Sequence, residues 1–317
     1  MVLLDSFSRS GLVLLRNKDA PMFKKSLALA ISVVFALSLA AAPNTPPVAQ
    51  LSAVEVAAKN ASARGGLQAW RAVQTMTMEG KLGVGGNQRE ALAVQAPDAR
   101  RGQRELRSTR PAEELQLPFV MQLRRPRQMR FELQFNGKTA IQVYDGSNGW
   151  KLRPFLNRME VEPYTPEEMK KASVQADLDG PLVDYAAKGT RVDLQGMDKV
   201  EGRDTYKLNL TLKSGQAFHV WVDAETFLEA KIEGQPRRLD GVDHPVEVYY
   251  RDYRTVDGLR IPFVLETRVL PVAKTVLGLR DPTVPPEKAI IEKVVVNPKL
   301  DAAMFSKPVI AEAPKVK

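Results

Sequence analysis

The chain has 317 residues, enough for one large domain or two ordinary ones. It contains no cysteine, which excludes disulfide scaffolds, cysteine zinc sites, iron–sulfur clusters and thiol nucleophiles. Only two histidines, His219 and His244, are present, which argues against histidine-rich metal sites and most catalytic triads. The net charge of +9 would suit a nucleic-acid partner, but the N-terminus argues against one.

A secretory signal peptide is predicted over residues 22–42. Lys24 and Lys25 form a basic start, 27–39 is an apolar run of 13 residues, and small residues at 40–42 offer a cleavage site. The run is shorter than the about 20 residues that a membrane span needs. Residues 1–21 do not fit ahead of such a peptide, so we interpret them as an extension before the true start. A secreted protein meets little nucleic acid, and we expect none as a partner.

The mature chain opens with a proline-rich linker, residues 43–51, followed by two predicted helices. Ser52 and Glu55 match a capping box, and the helix they begin continues to Arg64, where Gly65-Gly66 ends it. A second short helix is predicted over Leu67–Val73.

After Thr75 the sequence changes to short alternating runs separated by turns, which predicts strands. The clearest is Arg127–Phe135, where apolar residues alternate with polar ones and Asn136-Gly137 then predicts a tight hairpin. The apolar members of this stripe are Met129, Phe131, Leu133 and Phe135.

Further strands are predicted downstream, and about a dozen at short spacing indicate an antiparallel sandwich or barrel. They cover 138–145, 150–154, 205–212, 216–223, 226–233, 246–253, 261–269 and 288–296.

Two segments interrupt the strands. Residues 87–117 are polar and rich in arginine, and we interpret them as an insertion. Residues 165–187 predict a helix, because Thr165 can cap it, Pro166 suits its first position, and acidic residues follow. Gly180-Pro181 breaks this helix, and the residues after the break suit a further turn. A helix within an antiparallel meander must lie across one face or end of the sheet.

The sequence contains no phosphate-binding loop, dinucleotide fingerprint, GxSxG or HExxH motif. His219 lies in a strand and His244 in a turn, and neither has a partner pattern for catalysis. We therefore predict no enzyme activity, no cofactor and no metal. The arginines at 100–110 and 124–130 could contact phosphate or lipid headgroups, although arginines on the wet face of a strand need no function.

Four segments resemble the outer-membrane lipoprotein-sorting family, the LolA-like periplasmic carriers. They are GGLQAWRAV (65–73), LRRPRQMRFEL (123–133), VYDGSNGWKLRPF (143–155) and LDAAMFSKP (300–308). None is a catalytic motif, and their order and spacing carry more weight than any one of them. The resemblance spans a single domain over 52–310, with 311–317 as a tail.

The resemblance implies a mainly β fold with a few helices. In that family a strongly curved antiparallel sheet forms an incomplete, half-open barrel that a helical lid closes, and its concave apolar face holds acyl chains. Arg125, of the Arg-Pro pair, matches the family arginine that gates the lid. The implied cavity residues are Met129, Phe131, Leu133, Phe135, Trp150, Tyr206, Leu208, Leu210, Phe263 and Leu265.

The implied function is that of a monomeric, non-catalytic periplasmic carrier of lipoprotein or lipid acyl chains. By the same resemblance, its partners are an inner-membrane export complex and an outer-membrane acceptor. Two alternatives stay open: a periplasmic lipid-sensing or regulatory protein of the same fold, and a carrier of free lipids for an export system. The apolar stripe alone would also suit a closed core, and a register error of one residue would move it to the other face.

Overall fold

A computed structural model describes residues 51–85, 114–154, 158–239, 242–272 and 285–309. The predicted extension, signal peptide, most of the linker and the C-terminal tail lie outside these residues. So do most of the predicted insertion and the arginines of 100–110.

The two predicted N-terminal helices are present. Helix α1, Ala53–Ala63, begins with the capping box, in which the Ser52 hydroxyl accepts from the Glu55 amide and the Glu55 carboxylate accepts from the Ser52 amide. Helix α2, Leu67–Ala72, follows after Gly65 and Gly66, which have φ of 111° and 97°. A Cβ at Gly65 would lie 2.4 Å from the Gly258 carbonyl oxygen, so only glycine fits at this close approach.

Thirteen strands make up most of the described chain. They are β1 Thr75–Gly85, β2 Glu114–Arg124, β3 Gln128–Phe135, β4 Lys138–Tyr144, β5 Gly149–Arg153, β6 Arg158–Pro163, β7 Arg191–Val200, β8 Arg203–Thr211, β9 Ala217–Asp223, β10 Glu229–Leu239, β11 Val242–Val256, β12 Leu259–Val269 and β13 Glu287–Val296.

All thirteen strands belong to one antiparallel sheet, in the order β6-β5-β4-β3-β2-β1-β13-β12-β11-β10-β9-β8-β7. Within the described ranges no ladder joins the edge strands β6 and β7, so the sheet does not close into a barrel. Register shifts in β1, β7 and β10 mark bulges, which bend and twist strands. The predicted fold class, a mainly β open sheet with a few helices, is confirmed.

The strand predictions agree with the structure, and the Asn136-Gly137 turn has φ of 47° and 70°, as a tight hairpin requires. Three features differ. The predicted insertion ends too late, because β2 already begins at Glu114. The helix predicted over 165–187 is α3, Pro166–Gln175, and the residues after it form turns. Strands β1, β2, β6 and β7 have no counterpart among the predicted strand ranges.

The sheet has two faces that we name by what covers them. The inner face carries the three helices and corresponds to the predicted concave face. The outer face carries a short 3-10 helix, Ala302–Phe305, whose Met304 carbonyl accepts from Arg130 at 3.0 Å. None of the helices in the described part of the chain combines the length and the apolar character needed to cross a membrane.

Candidate functional site

The predicted apolar stripe of β3 lies on the inner face. Directly paired residues of neighbouring strands share a face, and Met129 pairs with Leu123 and Tyr144, which belong to the same buried cluster. Phe131 and Leu133 pack against this cluster as well, whereas the intervening Arg130 reaches the outer 3-10 helix.

One part of the inner face is closed. Leu208 and Leu210, both predicted to line a cavity, are 0% exposed and pack against Val56 and Ala57 of α1 and against Leu182. The half-buried Tyr206 beside them stacks on Phe227, with 6.0 Å between ring centroids. We call this region of β7, β8 and β9 the sealed part. Its residues form core, because α1 occupies the space that a ligand would need.

Met129 and Phe263 are also core rather than cavity lining. They are 2% and 5% exposed and belong to a cluster that α2, α3 and the turns after α3 cover. Trp70 of α2 lies in the same cluster and donates its indole N–H to the Arg64 carbonyl at 3.0 Å.

The remaining predicted residues lie farther along the strands and are only half-buried. Phe131 stacks on Phe119 with ring centroids 5.7 Å apart, and Leu133, Phe135 and Leu265 are likewise partly accessible. We call the stretch of inner face formed by Phe131, Leu133, Phe135 and Leu265 the open part.

Trp150 does not belong to the stripe, and that prediction is wrong. It pairs with Val143, which pairs with Arg130, so it lies on the outer face. The inner position of this hairpin is Gly149, where an added Cβ would lie 1.9 Å from the Tyr164 ring. The Asn148-Gly149 turn thus shifts the alternation by one residue relative to the prediction.

Helix α3 and residues 176–187 form a segment that covers part of the inner face, and we call it the lid segment. It begins with a capping box between Thr165 and Glu168. Both Glu168 carboxylate oxygens also lie 2.6 Å from Nζ of Lys151, a buried inner-face residue of β5. This ion pair fixes the first turn of α3 to the sheet.

Arg125 connects the β2–β3 turn to both helical regions. Its guanidinium donates to the carbonyls of Val73 and Trp70 at 2.7 and 2.9 Å and to Asp179 of the lid segment at 2.7 Å. Asp179 is 1% exposed, so this contact is shielded from water. The arginine predicted as a lid gate therefore contacts the lid segment, and its gating role stays a prediction.

A second carboxylate and a lysine complete this cluster. Lys188 Nζ lies 2.8 Å from Asp177 and 2.7 Å from Asp179. Burial raises the pKa of Asp177 to about 6, assisted by the adjacent Asp179 and opposed by Lys188. Burial also acts to raise the pKa of Asp179, but bonds from Asp177, Lys188 and Arg125 outweigh it and lower that pKa to about 2. We call Arg125, Asp177, Asp179 and Lys188 the ionic latch.

Arg64, at the end of α1, connects the ionic latch to strand β10. Its guanidinium donates to the Asp179 carbonyl at 2.7 Å, lies 3.3 Å from Glu229 of β10, and stacks 4.4 Å from the Trp70 ring. Sequence reasoning missed Arg64, Lys151 and Lys188, because each acts through a partner distant in the chain. The basic residues themselves carry no local pattern that would have indicated these contacts.

A cleft of about 560 Å³ opens between α3 and the β9–β11 wall. Its size lies within the range of roughly 300–1,000 Å³ typical of small-molecule sites. Phe218 and Val246 of the inner face lie at its base, and Lys170 and Ser173 of α3 form the opposite side. None of the predicted cavity residues lines it, although Phe218 is the direct neighbour of Leu210.

The two histidines have structural partners. His219 Nδ1 lies 2.8 Å from Glu233, and its ring packs against Trp221. His244 is buried, with Nδ1 3.1 Å from the Leu270 carbonyl oxygen. Across the described residues, no three His, Asp or Glu side chains are grouped so that they could hold a metal ion.

Comparison with known proteins gives matches among solved structures only. No protein-family model and no curated protein matches the chain. A LolA superfamily protein from Nitrosomonas europaea is similar at a TM-score of 0.48 and 11% identity, over 81% of this chain and 99% of that one. An outer membrane lipoprotein-sorting protein domain from Vibrio parahaemolyticus is similar at 0.47 and 11%, over 80% and 96%.

A DUF1329 family protein from Desulfovibrio piger is similar at a TM-score of 0.48 and 14% identity, over 81% of this chain and 98% of that one. Two of the three names thus contain the family that the four sequence segments resemble. At these TM-scores and identities the likeness carries no argument about cargo or partners, which must come from this chain's own residues.

Proposed function

We propose that this protein is a non-catalytic carrier that binds the acyl chains of lipoproteins or lipids on the open part of the inner face and hands them on. The observation that carries the proposal is the pairing of a half-buried apolar surface with a covering segment fastened by ion pairs. Phe131, Leu133 and Leu265 offer apolar contacts, and the lid segment lies over the adjoining core.

The free energy of burying acyl chains favours such a role. Each buried methylene contributes about 0.8 kcal/mol, so a chain of ~14–16 carbons gains roughly 10 kcal/mol on leaving water. Binding is therefore easy, and release is the step that needs control.

The ionic latch supplies a means of control. Hydrogen bonds to charged groups contribute about 1.5–3 kcal/mol each, so breaking the Arg125–Asp179 contact costs a fraction of the free energy that cargo entry provides. An acyl chain entering beside α3 can displace the lid segment, and the latch re-forms once the chain has left.

The compartment and partners follow from the same proposal. The predicted signal peptide suits a periplasmic carrier. An inner-membrane export complex as donor and an outer-membrane acceptor are the partners that the family resemblance implies. We expect the carrier to act as a monomer.

Lipid analysis of the purified protein tests the proposal. The mature chain from residue 43, secreted into a bacterial periplasm and purified without detergent, is expected to carry bound acyl chains detectable by mass spectrometry. Stoichiometric acylated peptide supports lipoprotein carriage, and stoichiometric free lipid supports the free-lipid carrier. An empty protein that also fails to take up a fluorescent fatty acyl probe contradicts both kinds of carrier. That result favours the remaining alternative, a periplasmic sensing or regulatory protein of the same fold.

The gate assignment has its own test, the Arg125→Leu variant. We expect it to fold and to load and release the fluorescent acyl probe faster, because the lid segment loses its bond to the β2–β3 turn. Arg127→Leu in the same turn is the matched control, since no bond joins Arg127 to the lid segment in the described contacts. Equal probe kinetics in wild type and Arg125→Leu would contradict the gate.

A further inference from the structure

The cleft and the open part of the inner face lie at the same end of the sheet. Phe135, the last residue of β3, belongs to the open part and precedes the Asn136-Gly137 turn. Ser214 and Gln216, in the turn between β8 and β9, line the cleft. Neighbouring strands from β3 to β8 are all antiparallel, so β3 and β8 run in the same direction and end on the same side. We call this end of the sheet the mouth.

Two large apolar side chains are exposed at the mouth. Leu115 and Met159 are each the second residue of a strand, β2 and β6, and the strand order places the start of both strands at the mouth. Their exposed fractions are 49% and 54%. Apolar side chains beside an opening of this kind gain free energy when they enter the boundary layer of a lipid bilayer.

Four exposed lysines without an ion-pair partner also lie at the mouth. Lys138 and Lys288 are at the starts of β4 and β13, Lys213 lies in the turn after β8, and Lys170 of α3 lines the cleft. None of the four forms an ion pair within the part of the chain that the structure describes. Lys138 Nζ donates to the Pro154 carbonyl at 3.4 Å, which leaves its charge uncompensated.

Most acidic side chains at the mouth are already neutralised. Three of them form ion pairs with arginine, namely Asp193 with Arg191, Asp243 with Arg238, and Glu287 with Arg237. Glu160 of β6 has no basic partner among the described contacts, and Glu233 on the outer face binds His219 instead. The mouth therefore has more unpaired cations than unpaired anions.

We propose that the mouth docks on the surface of an anionic lipid bilayer. The inference rests on the proposed function, because a carrier whose apolar surfaces open at the mouth takes up and delivers acyl chains there. The four lysines are attracted to an anionic surface, and Leu115 and Met159 enter its boundary layer. Docking also spares the acyl chain a passage through water, in which it would lose the free energy that burial provides.

Sedimentation with lipid vesicles tests the docking. Delipidated mature protein is mixed with vesicles of phosphatidylcholine alone, or of equal parts phosphatidylcholine and phosphatidylglycerol. At low salt we expect the protein to bind the anionic vesicles at least about tenfold more strongly than the neutral ones. The difference should shrink as added salt screens the lysines.

Two matched pairs of variants assign the surface. Lys170→Gln combined with Lys213→Gln should weaken binding to anionic vesicles about 25-fold, since each lysine near such a surface contributes about fivefold. The control is Lys299→Gln with Lys307→Gln, which removes the same charge from exposed positions beyond the end of β13 that points away from the mouth. That control should change binding little.

The second pair compares two methionines of similar exposure. Met159→Ala removes an apolar side chain from the mouth and should weaken vesicle binding several-fold. Met197→Ala removes one that is 48% exposed and lies nearer the opposite end of its strand, β7, and should leave binding unchanged.

Equal binding to neutral and anionic vesicles, or equal losses within either matched pair, overturns docking at the mouth. Uptake of the fluorescent acyl probe is measured on the same proteins. Probe uptake without vesicle binding overturns the docking alone and leaves the carrier, which would then exchange cargo with protein partners. Failure of both probe uptake and vesicle binding overturns the docking and the carrier together.

Discussion

The sealed and open parts of the inner face have the same sequence pattern and different structures. In both, apolar residues alternate with polar ones along antiparallel strands. Over the sealed part, α1 packs with Val56 and Ala57 directly on Leu208, and no water reaches the interface. Over the region next to the open part, α3 buries a single small side chain, Ala172, and is attached by ion pairs at its first turn and just after its end.

The difference shows that the covering element, and not the strand, decides whether an apolar face is core or binding surface. Apolar packing is lost over a whole helix face when α1 leaves the sheet. Ion pairs such as Lys151–Glu168 and Arg125–Asp179 are few, directional and open to competition from water once the lid segment moves. We therefore expect α1 to be a permanent part of the fold and the lid segment to be the part that moves.

The largest effect should come from replacing one leucine by alanine in the sealed part and one in the open part. Leu208→Ala removes a fully buried side chain and should lower the free energy of unfolding by about 2–5 kcal/mol. Leu133→Ala removes a half-buried one and should cost roughly half as much, because less apolar surface and a smaller cavity are involved.

Urea unfolding and acyl-probe titration of both variants check this contrast. Leu133→Ala should lose probe affinity while it remains folded, and Leu208→Ala should keep its affinity under conditions where it is folded. The division of the inner face into two parts is wrong if the two variants lose stability and affinity in the same proportion.

The pH dependence of the latch should be the next effect in size. The pKa of Asp177 is raised from 3.8 to about 6, so the folded state holds that proton more tightly than the unfolded state. Its contribution to stability is complete below about pH 3.8 and is lost as the pH rises through 6. The pKa of Asp179 is lowered to about 2, so Asp179 stays charged throughout this window.

Asp177→Asn removes this titration. Between pH 5 and pH 7.5 the wild type should lose on the order of 1 kcal/mol of unfolding free energy relative to the variant. Both histidines are present in both proteins, so their titration cancels in the difference. Acyl-probe exchange should quicken with pH in the wild type alone. If unfolding free energy and probe exchange depend on pH in the same way in both proteins, Asp177 does not contribute to the ionic latch.

Local signals predicted the elements well. The capping boxes at Ser52 and Thr165, the Asn136-Gly137 turn and the alternation in β3 each depend on neighbours within a few residues, and the structure has all of them. Helix α3 ends at Gln175, before the predicted break at Gly180-Pro181. Asp177 and Asp179, just after it, bind Lys188 and Arg125, contacts that no local pattern encodes.

The sequence predicted the site less well, because its contacts join residues that are distant in the chain. Trp150 was assigned to the wrong face because the register of its hairpin depends on Tyr164 filling the space beside Gly149. Leu208 and Leu210 were correctly placed on the inner face, but only the packing of α1 shows that they are core. The cleft residues Lys170 and Phe218 come from α3 and β9, and only the fold places both beside the same cleft.

The smallest predicted effect uses the capping boxes, which are chemically alike in the two covering helices. Ser52→Ala at α1 and Thr165→Ala at α3 each remove one side-chain acceptor from the helix start and should cost about 1 kcal/mol of stability. Their effects on cargo should differ. Fraying the first turn of α3 loosens Glu168, whose carboxylate also binds Lys151, so Thr165→Ala should quicken acyl-probe exchange. The capping bonds of Ser52 and Glu55 join no lid residue in the described contacts, and Arg64, which binds Asp179, lies at the other end of α1. Ser52→Ala should therefore leave exchange as in the wild type. Stopped-flow probe release from both variants measures the difference, and equal release rates would mean that α1 and α3 cover the sheet in the same way.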